Sequence, residues 1–378
     1  MLLVTKRFYP GIKAGGPQTS LLTFCNFISS KNYKEINVVT LDRDVGDSQP
    51  YNFVKKNKRI KLFKFAKVNY LPENSKIRTI FCLIKSYNNN NLIIVNSFFD
   101  PIFGALIPTI ISIFKRKTIY CFVRGELQKN SLSIKSQKKK IFIDLFGNLF
   151  SRKIIYIFSD ENEYNNSLES LSTIKNYRIA PNLPQVNKQI NMILPSNDSI
   201  KLIYLGRIRL DKNLFFFLQV LSKQTKKIDL DIYGPVSDKT YWSKCQDLIT
   251  NLDNNISIRY KGILKRNGLS DVCHNYHFLV NPSLSENYGH SIAESLGCGL
   301  PTIVTVGTPW MNLEDHNLGF TLGVDITEWE SFFKDLSLID YNSKYKRQSV
   351  SKAFHLYPLV SKSEVFNQQL FEEIIRYI

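Results

Sequence analysis

The sequence predicts an α/β protein of two doubly wound halves, and three observations carry that reading. Short apolar strand-like runs alternate with helix-length segments through the first half, and the same alternation restarts at Ile200 after a stretch rich in Pro and Asn. A hydrophobic content of 43% over 378 residues supplies core for two domains. The expected domains are residues 1–182, residues 183–360 and a closing helix over 361–378 that packs back across them, with the two halves facing across a cleft.

Residues 2–5 make the first strand, and the loop after it runs from Phe8 through Gly15, Gly16 and Pro17 into a helix starting near Gln18. Strand, glycine loop and helix together present backbone N–H groups to an anion, although a Gly-Gly turn is most often only a turn. Further strands are expected at 36–40, 60–65, 92–95, 118–123 and 154–158, in a parallel sheet with helices on both faces. Pro181, Asn182, Leu183 and Pro184, followed by polar sequence to Ser199, mark the boundary. The second half begins with a strand at 201–205, a polar loop at 206–213 and an apolar helix from Leu214. Strands follow at 229–233, 256–261 and 278–280. A polar turn then carries Glu286, Tyr288, Gly289 and His290, and a helix from Ser291 ends at Gly297, Gly299 and Pro301 before a strand at 302–305. In the tail, Val365, Leu370, Phe371, Ile374 and Ile375 share roughly one helical face.

The charge is unevenly placed. Residues 1–182 hold 29 Lys and Arg against 12 Asp and Glu, whereas residues 183–378 hold 21 against 20. A basic first half suits an anionic membrane face, a phosphate-bearing substrate or nucleic acid. The cluster Lys135, Lys138, Lys139 and Lys140, followed by Ile141, Phe142, Ile143, Leu145 and Phe146, reads as a basic amphipathic helix suited to a membrane surface, or as a solvated helix face. The six cysteines are scattered without a C-x-x-C pair, which points to buried thiols in a reducing, cytoplasmic compartment. The start of the chain lacks the apolar core and cleavage site of a signal peptide, and the longest uncharged apolar run, 101–114, is too short to span a bilayer. The five histidines have no metal-ligand spacing, so no metal is expected.

Arg207 and Lys212 leave a strand for a helix, a placement suited to a diphosphate: the guanidinium binds in bidentate fashion and the ammonium acts as a point charge. Two solvated loop cations would look the same. Glu286 and Glu294 suit hydrogen bonding to sugar or ribose hydroxyls, with the amides of Tyr288, Gly289 and His290 facing a phosphate or sugar oxygen. A hydrolase would use such a carboxylate pair as acid and base or nucleophile.

Taken in order, these features resemble the family 4 (group 1) glycosyltransferases, retaining enzymes of the GT-B fold. The resemblance rests on Gly15-Gly16, Pro181-Asn182, G-R-x4-K at Arg207 and Lys212, the Glu286 and Glu294 pair separated by seven residues, S-x-x-E-x-x-G at 283–289 and G-x-G-x-P at 297–301. Thr308, Pro309 and Trp310 look like the bacterial surface-polysaccharide branch. The resemblance implies a nucleotide-sugar donor whose diphosphate is held by Arg207 and Lys212, whose ribose is held by Glu294 and whose sugar is held by Glu286. Backbone amides from Tyr288 to Ser291 would assist, and Gly15 and Gly16 would admit donor and acceptor. It further implies retention without an enzyme nucleophile, a required metal or another cofactor, catalysis being electrostatic stabilisation of the leaving diphosphate. The implied acceptor is a glycan, above all a lipid-diphosphate-linked one, at the cytoplasmic face of the inner membrane and without nucleic acid as partner.

One departure stands out. Where relatives carry a histidine, this chain has Arg124-Gly125-Glu126-Leu127, so Arg124 is read as a substitute cation, or as a structural partner of Glu126 or Glu163. A nucleotide-sugar epimerase, a phosphorylase and a non-enzymatic basic binding protein stay open as alternatives. The last would leave Arg207, Lys212, Glu286 and Glu294 without a shared purpose.

Overall fold

A computed structural model describes residues 1–31, 36–54, 59–62, 66–128, 132, 136–147, 150–184, 193–264, 268–338, 341 and 344–376. It divides into two compact units, Met1–Leu183 with Lys362–Ile378, and Pro184–Ser361. Lys135, residues 63–65 of the third expected strand, much of the polar stretch after Pro184 and the last two residues of the tail lie outside the described residues.

Unit 1 is built on an eight-stranded sheet. In chain order its strands are β1 (Leu2–Val4), β2 (Ile36–Leu41), β3 (Arg59–Leu62), β4 (Ala66–Leu71), β5 (Leu92–Val95), β6 (Thr118–Phe122), β7 (Ile154–Phe158) and β8 (Tyr177–Ile179). They lie in the order β3-β4-β2-β1-β5-β6-β7-β8. Neighbouring strands are parallel except at β3, which pairs antiparallel with β4. The expected parallel sheet is found, with this one antiparallel pair at its edge. What reads as one strand at 60–65 is the first arm of a pair whose second arm, β4, carries polar residues at alternate positions, so no continuous apolar run marks it.

Because strand side chains alternate, the central strands feed two cores. Leu2, Val4, Ile93, Val95 and Cys121 pack on one face beneath Leu83, Tyr87, Ile111 and Phe146. Leu3, Ile94, Tyr120 and Phe122 pack on the other, under Leu21, Phe24 and Ile28 of the helix Gly16–Ser30 and Leu370, Phe371 and Ile374 of the tail helix Pro358–Ile375. The expected tail face needs correcting at two positions, since Val365 and Ile375 are exposed. The buried stripe runs instead through Ser363, Asn367, Leu370, Phe371 and Ile374 at helical spacing, with Asn367 donating to the Pro181 carbonyl at 2.7 Å. All six cysteines are free thiols.

Unit 2 has six strands: β9 (Ile200–Leu205), β10 (Ile228–Tyr233), β11 (Ile256–Gly262), β12 (Phe278–Asn281), β13 (Thr302–Thr305) and β14 (Gly319–Leu322). They are all parallel, in the order β11-β10-β9-β12-β13-β14. The chain builds outward from β9 in one direction, then returns to β9 to start β12 on its other side. In doubly wound sheets the crevice beyond the carboxyl ends of those two strands is where ligands bind.

His277, just before β12, is fully buried and structural. Its Nδ1 accepts the Lys201 N–H at 3.0 Å and its ring sits edge-on to Tyr341. Burial, reinforced by Arg347 and Lys201, lowers its ionisation from 6.5 to about 4. The unfolded chain thus binds a proton below pH 6.5 that the folded chain refuses, so stability falls as pH falls through that window. Between pH 7 and pH 5 this one group is expected to remove about 2 kcal/mol. All three tryptophans, Trp242, Trp310 and Trp329, lie in unit 2, so tryptophan fluorescence in urea reports its unfolding. His277→Asn should show a smaller loss of stability between those two pH values than wild type. An equal loss would place the sensitivity elsewhere.

Candidate functional site

The β9 and β12 loops bring two of the expected side chains together, with Arg207 following β9 a few residues ahead of Lys212. Lys212 ends a short 3-10 turn after β9, and its Nζ lies 2.6 Å from Glu286 Oε1 in the loop after β12, with both side chains largely covered. The two loops are also tied through backbone, since Leu284 N–H donates to Asp211 C=O at 2.9 Å. Glu286 is steadied by its own N–H bonding Gly307 C=O at 3.0 Å and by the Ser283 hydroxyl 3.3 Å from Oε1. Arg207 leaves the end of β9 on the same side. Burial, then repulsion from Arg209, lowers its guanidinium's ionisation, with Asp211 opposing. A cation placed against its own desolvation is one that an anion would relieve.

The helix His290–Gly297 begins beside this group, and Gly289 caps it at φ 76°, in the left-handed region where a side chain is strained. A Cβ there would also meet Ile292 Cδ1 at 2.7 Å. Ile292 and Ala293 both donate to Gly289 C=O, so the amides of His290 and Ser291 precede the helical ladder. Tyr288 is buried, and its carbonyl accepts the Trp310 indole N–H. Trp310 in turn stacks on Phe354 and Tyr357, at 6.1 and 5.2 Å between ring centres. Thus Trp310, noted in the sequence only as part of a motif, props the turn that carries the helix N-terminus. Glu294 lies on the first turns of that helix, and its charge helps burial raise the Tyr288 hydroxyl's ionisation. The Tyr288 hydroxyl and Asn213 Nδ2 are buried without a hydrogen-bond partner among the described residues.

Unit 1 gathers its own expected residues at the carboxyl ends of β1, β5 and β6. Gly15 has φ 73° and caps the helix Gly16–Ser30, which starts two residues earlier than the sequence suggests because Pro17 is suited to a first turn. Arg124 follows β6 in a left-handed conformation at φ 55°. Its guanidinium lies over Phe122 at 4.4 Å, its Nε donates to Asn96 Oδ1 at 3.0 Å, and its Nη1 donates to Asn182 Oδ1. Asn96 Nδ2 reaches Pro17 C=O at 3.5 Å, which links the glycine turn to Arg124. Burial brings the Arg124 ionisation down to about 10, so it remains a cation at neutral pH.

Of the alternative partners proposed for Arg124, Glu163 does support its charge electrostatically, but both carboxylates make their hydrogen bonds elsewhere. Glu126 accepts from Ser97 Oγ and from the N–H groups of Phe98 and Phe99, and Glu163 accepts from the N–H groups of Gly125 and Ser159. The roles of Asn96 and Asn182 as holders of Arg124 were not legible. An Asn at a strand end gives no local signal of a partner 28 or 58 residues away.

Residues 186–339 match the family model for glycosyl transferases group 1. Solved structures match the whole chain at low identity. Alr3699/HepE of Anabaena in complex with UDP-glucose is 14% identical over 100% of this chain and 99% of its own, with a TM-score of 0.67. Sucrose-phosphate synthase of Thermosynechococcus elongatus is 14% identical over 98% and 99%, with a TM-score of 0.66. WaaG, a glycosyltransferase involved in lipopolysaccharide biosynthesis, is 11% identical over 99% of each chain, with a TM-score of 0.61. No curated protein sequence matches alongside them. Residues 186–339, within the second unit, thus carry the pattern of the group 1 glycosyl transferases, and the chain as a whole has the two-domain, parallel-sheet GT-B fold of these structures.

Proposed function

We propose that this chain is a glycosyltransferase that moves a sugar from a nucleotide-sugar donor to a glycan acceptor with retention at the anomeric carbon. The acceptor in this reading is a lipid-diphosphate-linked oligosaccharide of surface polysaccharide synthesis, and the reaction takes place in the cytoplasm. The observation that carries it is the Lys212–Glu286 pair at 2.6 Å, in the loops after β9 and β12 at the point where the strand order of unit 2 reverses, with Arg207 in the same loop as Lys212. There Arg207 and Lys212 take the donor diphosphate, and the charge that builds on the departing oxygen falls to two cations already in place. Glu286 holds Lys212 in position and accepts from a hydroxyl of the transferred sugar. The amides of His290 and Ser291, ahead of the helical ladder, meet a phosphate or sugar oxygen.

Glu294 accepts from the ribose hydroxyls of the nucleotide. Gly15, Gly16 and Arg124 of unit 1 serve the substrates in this reading, Arg124 as the cation where relatives carry histidine. Because the two cations supply leaving-group stabilisation, the reaction needs no enzyme nucleophile, metal or further cofactor. The parallels come from proteins of the same fold, one of them in complex with UDP-glucose and one involved in lipopolysaccharide biosynthesis.

Thermal-shift titration with UDP, GDP and CMP tests the reading, since a ligand of the folded state raises its apparent stability. One of the three should bind, and Glu294→Ala should weaken that binding about ten- to a hundredfold, the loss of charge-assisted hydrogen bonds worth roughly 1.5–3 kcal/mol. If none binds, or if Glu294→Ala is without effect, the donor assignment fails.

A further inference from the structure

Unit 1 shows a feature that sugar transfer does not use. Three helical segments, Lys76–Asn88, Leu106–Phe114 and Ser136–Phe142 with its continuation Ile143–Gly147, cover the same face of the sheet. Each sends apolar side chains inward, as Leu83 and Tyr87, Ile107 and Ile111, and Phe142, Ile143 and Phe146. An ordinary surface helix turns a polar face to water. Here the outward faces are apolar as well. On the first helix Ile77 is 85% exposed and Phe81 70% exposed, with Ile84 one turn on. The second, in contact with the first, exposes Ile110, Ile113 and, at 84%, Phe114. The third exposes Ile141 and Leu145. Eight large apolar side chains in one layer exceed the scattered exposed residues normal on a soluble surface.

The charges around them are mostly positive. Lys76, Arg78 and Lys85 flank the first patch, Lys115 and Arg116 follow Phe114, and Lys138 and Lys140 stand beside Ile141, all exposed. Asp144 is the one acidic residue in the three helical segments. A polar hollow at the amino ends of β5 and β6, lined by Asn91, Ser112, Arg116, Lys117, Thr118 and Lys153, adjoins the end of the second helix. No helix among the described residues is long and apolar enough to cross a membrane.

We infer that the outer face of this helical layer is a docking surface for an anionic phospholipid bilayer. Phe81, Phe114 and the isoleucines enter the interface, and the surrounding Lys and Arg meet lipid phosphates. Apolar insertion combined with a ring of like positive charge matches this occupant, whereas a second copy of the same basic face would repel it. The sequence placed membrane contact on residues 135–146, of which Lys135 lies outside the described residues. There the Phe142, Ile143 and Phe146 side chains turn inward, and the main apolar area belongs to the two preceding helices.

The inference does not depend on the proposed donor or acceptor. Full-length protein should co-sediment with vesicles of phosphatidylcholine containing about one third phosphatidylglycerol, and far less with phosphatidylcholine alone. Phe81→Ser with Phe114→Ser should weaken that partition at least about tenfold. Lys115→Ser with Arg116→Ser should weaken it and flatten its salt dependence. Val45→Ser and Leu356→Ser, exposed apolar positions outside the layer, should leave it unchanged. Absence of binding to the anionic vesicles, or full binding by the double Phe variant, overturns the inference. So does a concentration-dependent dimer that the double Phe variant abolishes, since a second copy would then be the occupant. Nucleotide binding by the same variants stays at the wild-type level, so failure of docking and failure of the donor assignment are read separately.

Discussion

Arg207→Ala and Lys212→Ala each lower kcat about 10²–10³-fold, the range seen when one preorganised group is removed from developing negative charge. The two substitutions should differ in what they leave behind. Removing Lys212 strands the Glu286 carboxylate, which sits 2.6 Å from the ammonium in a largely covered position. That uncompensated charge would face the donor phosphates, so Lys212→Ala also raises KM for the donor. Adding Glu286→Gln to Lys212→Ala should therefore cost much less than the sum of the two single effects, because the pair acts as one unit. Arg207→Lys should recover only part of the activity, since an ammonium cannot offer the planar two-point contact of a guanidinium. Steady-state kinetics with a donor found by thermal shift, run over a range of donor concentrations, separate these effects. If both alanine variants keep kcat within about threefold, the diphosphate does not sit where it has been assigned.

Trp310→Ala destabilises unit 2 by about 3–5 kcal/mol, the usual cost of emptying a buried aromatic site. Trp310 is fully buried and stacks on Phe354 and Tyr357. Trp310→Phe separates packing from hydrogen bonding. It keeps an aromatic ring but leaves the Tyr288 carbonyl without its indole donor, at a cost of about 1–3 kcal/mol. The turn it releases carries Gly289 and the first amides of the helix His290–Gly297, so Trp310→Phe should weaken nucleotide binding at temperatures where the variant is still folded. Urea unfolding followed through Trp242 and Trp329, with nucleotide titration at 15 °C below the transition, measures both effects. A Phe variant that binds nucleotide as wild type does would confine Trp310 to the core.

Several elements were legible because burial on both faces leaves an unbroken apolar run. β5 and β7 are of this kind, and their expected and observed limits coincide. β4, β8 and β14 were missed. β4 alternates with polar residues, and β8 and β14 are three and four residues long with little apolar character to mark them. The tail shows a different limit. Its helical character was readable, but its buried face was not: at about 100° per residue Ile375 lies about a quarter turn and Val365 about half a turn around the helix from the stripe that the neighbouring chain covers, so both face water.

By itself the sequence determined the α/β alternation, the glycine turns, and the presence of cations and carboxylates just after strands. These follow from local rules: which residues pack, which tolerate a left-handed φ, and which sit at a helix start. Only the tertiary structure decided which of those polar residues meet. Lys212 and Glu286 are 74 positions apart and become partners because β9 lies beside β12, a pairing set by long-range burial. The same holds for Arg124, whose two asparagine holders come from the ends of distant segments. It holds too for the outward apolar faces of the three helices, since a period reveals that a helix has sides but only the packed sheet determines which side faces water.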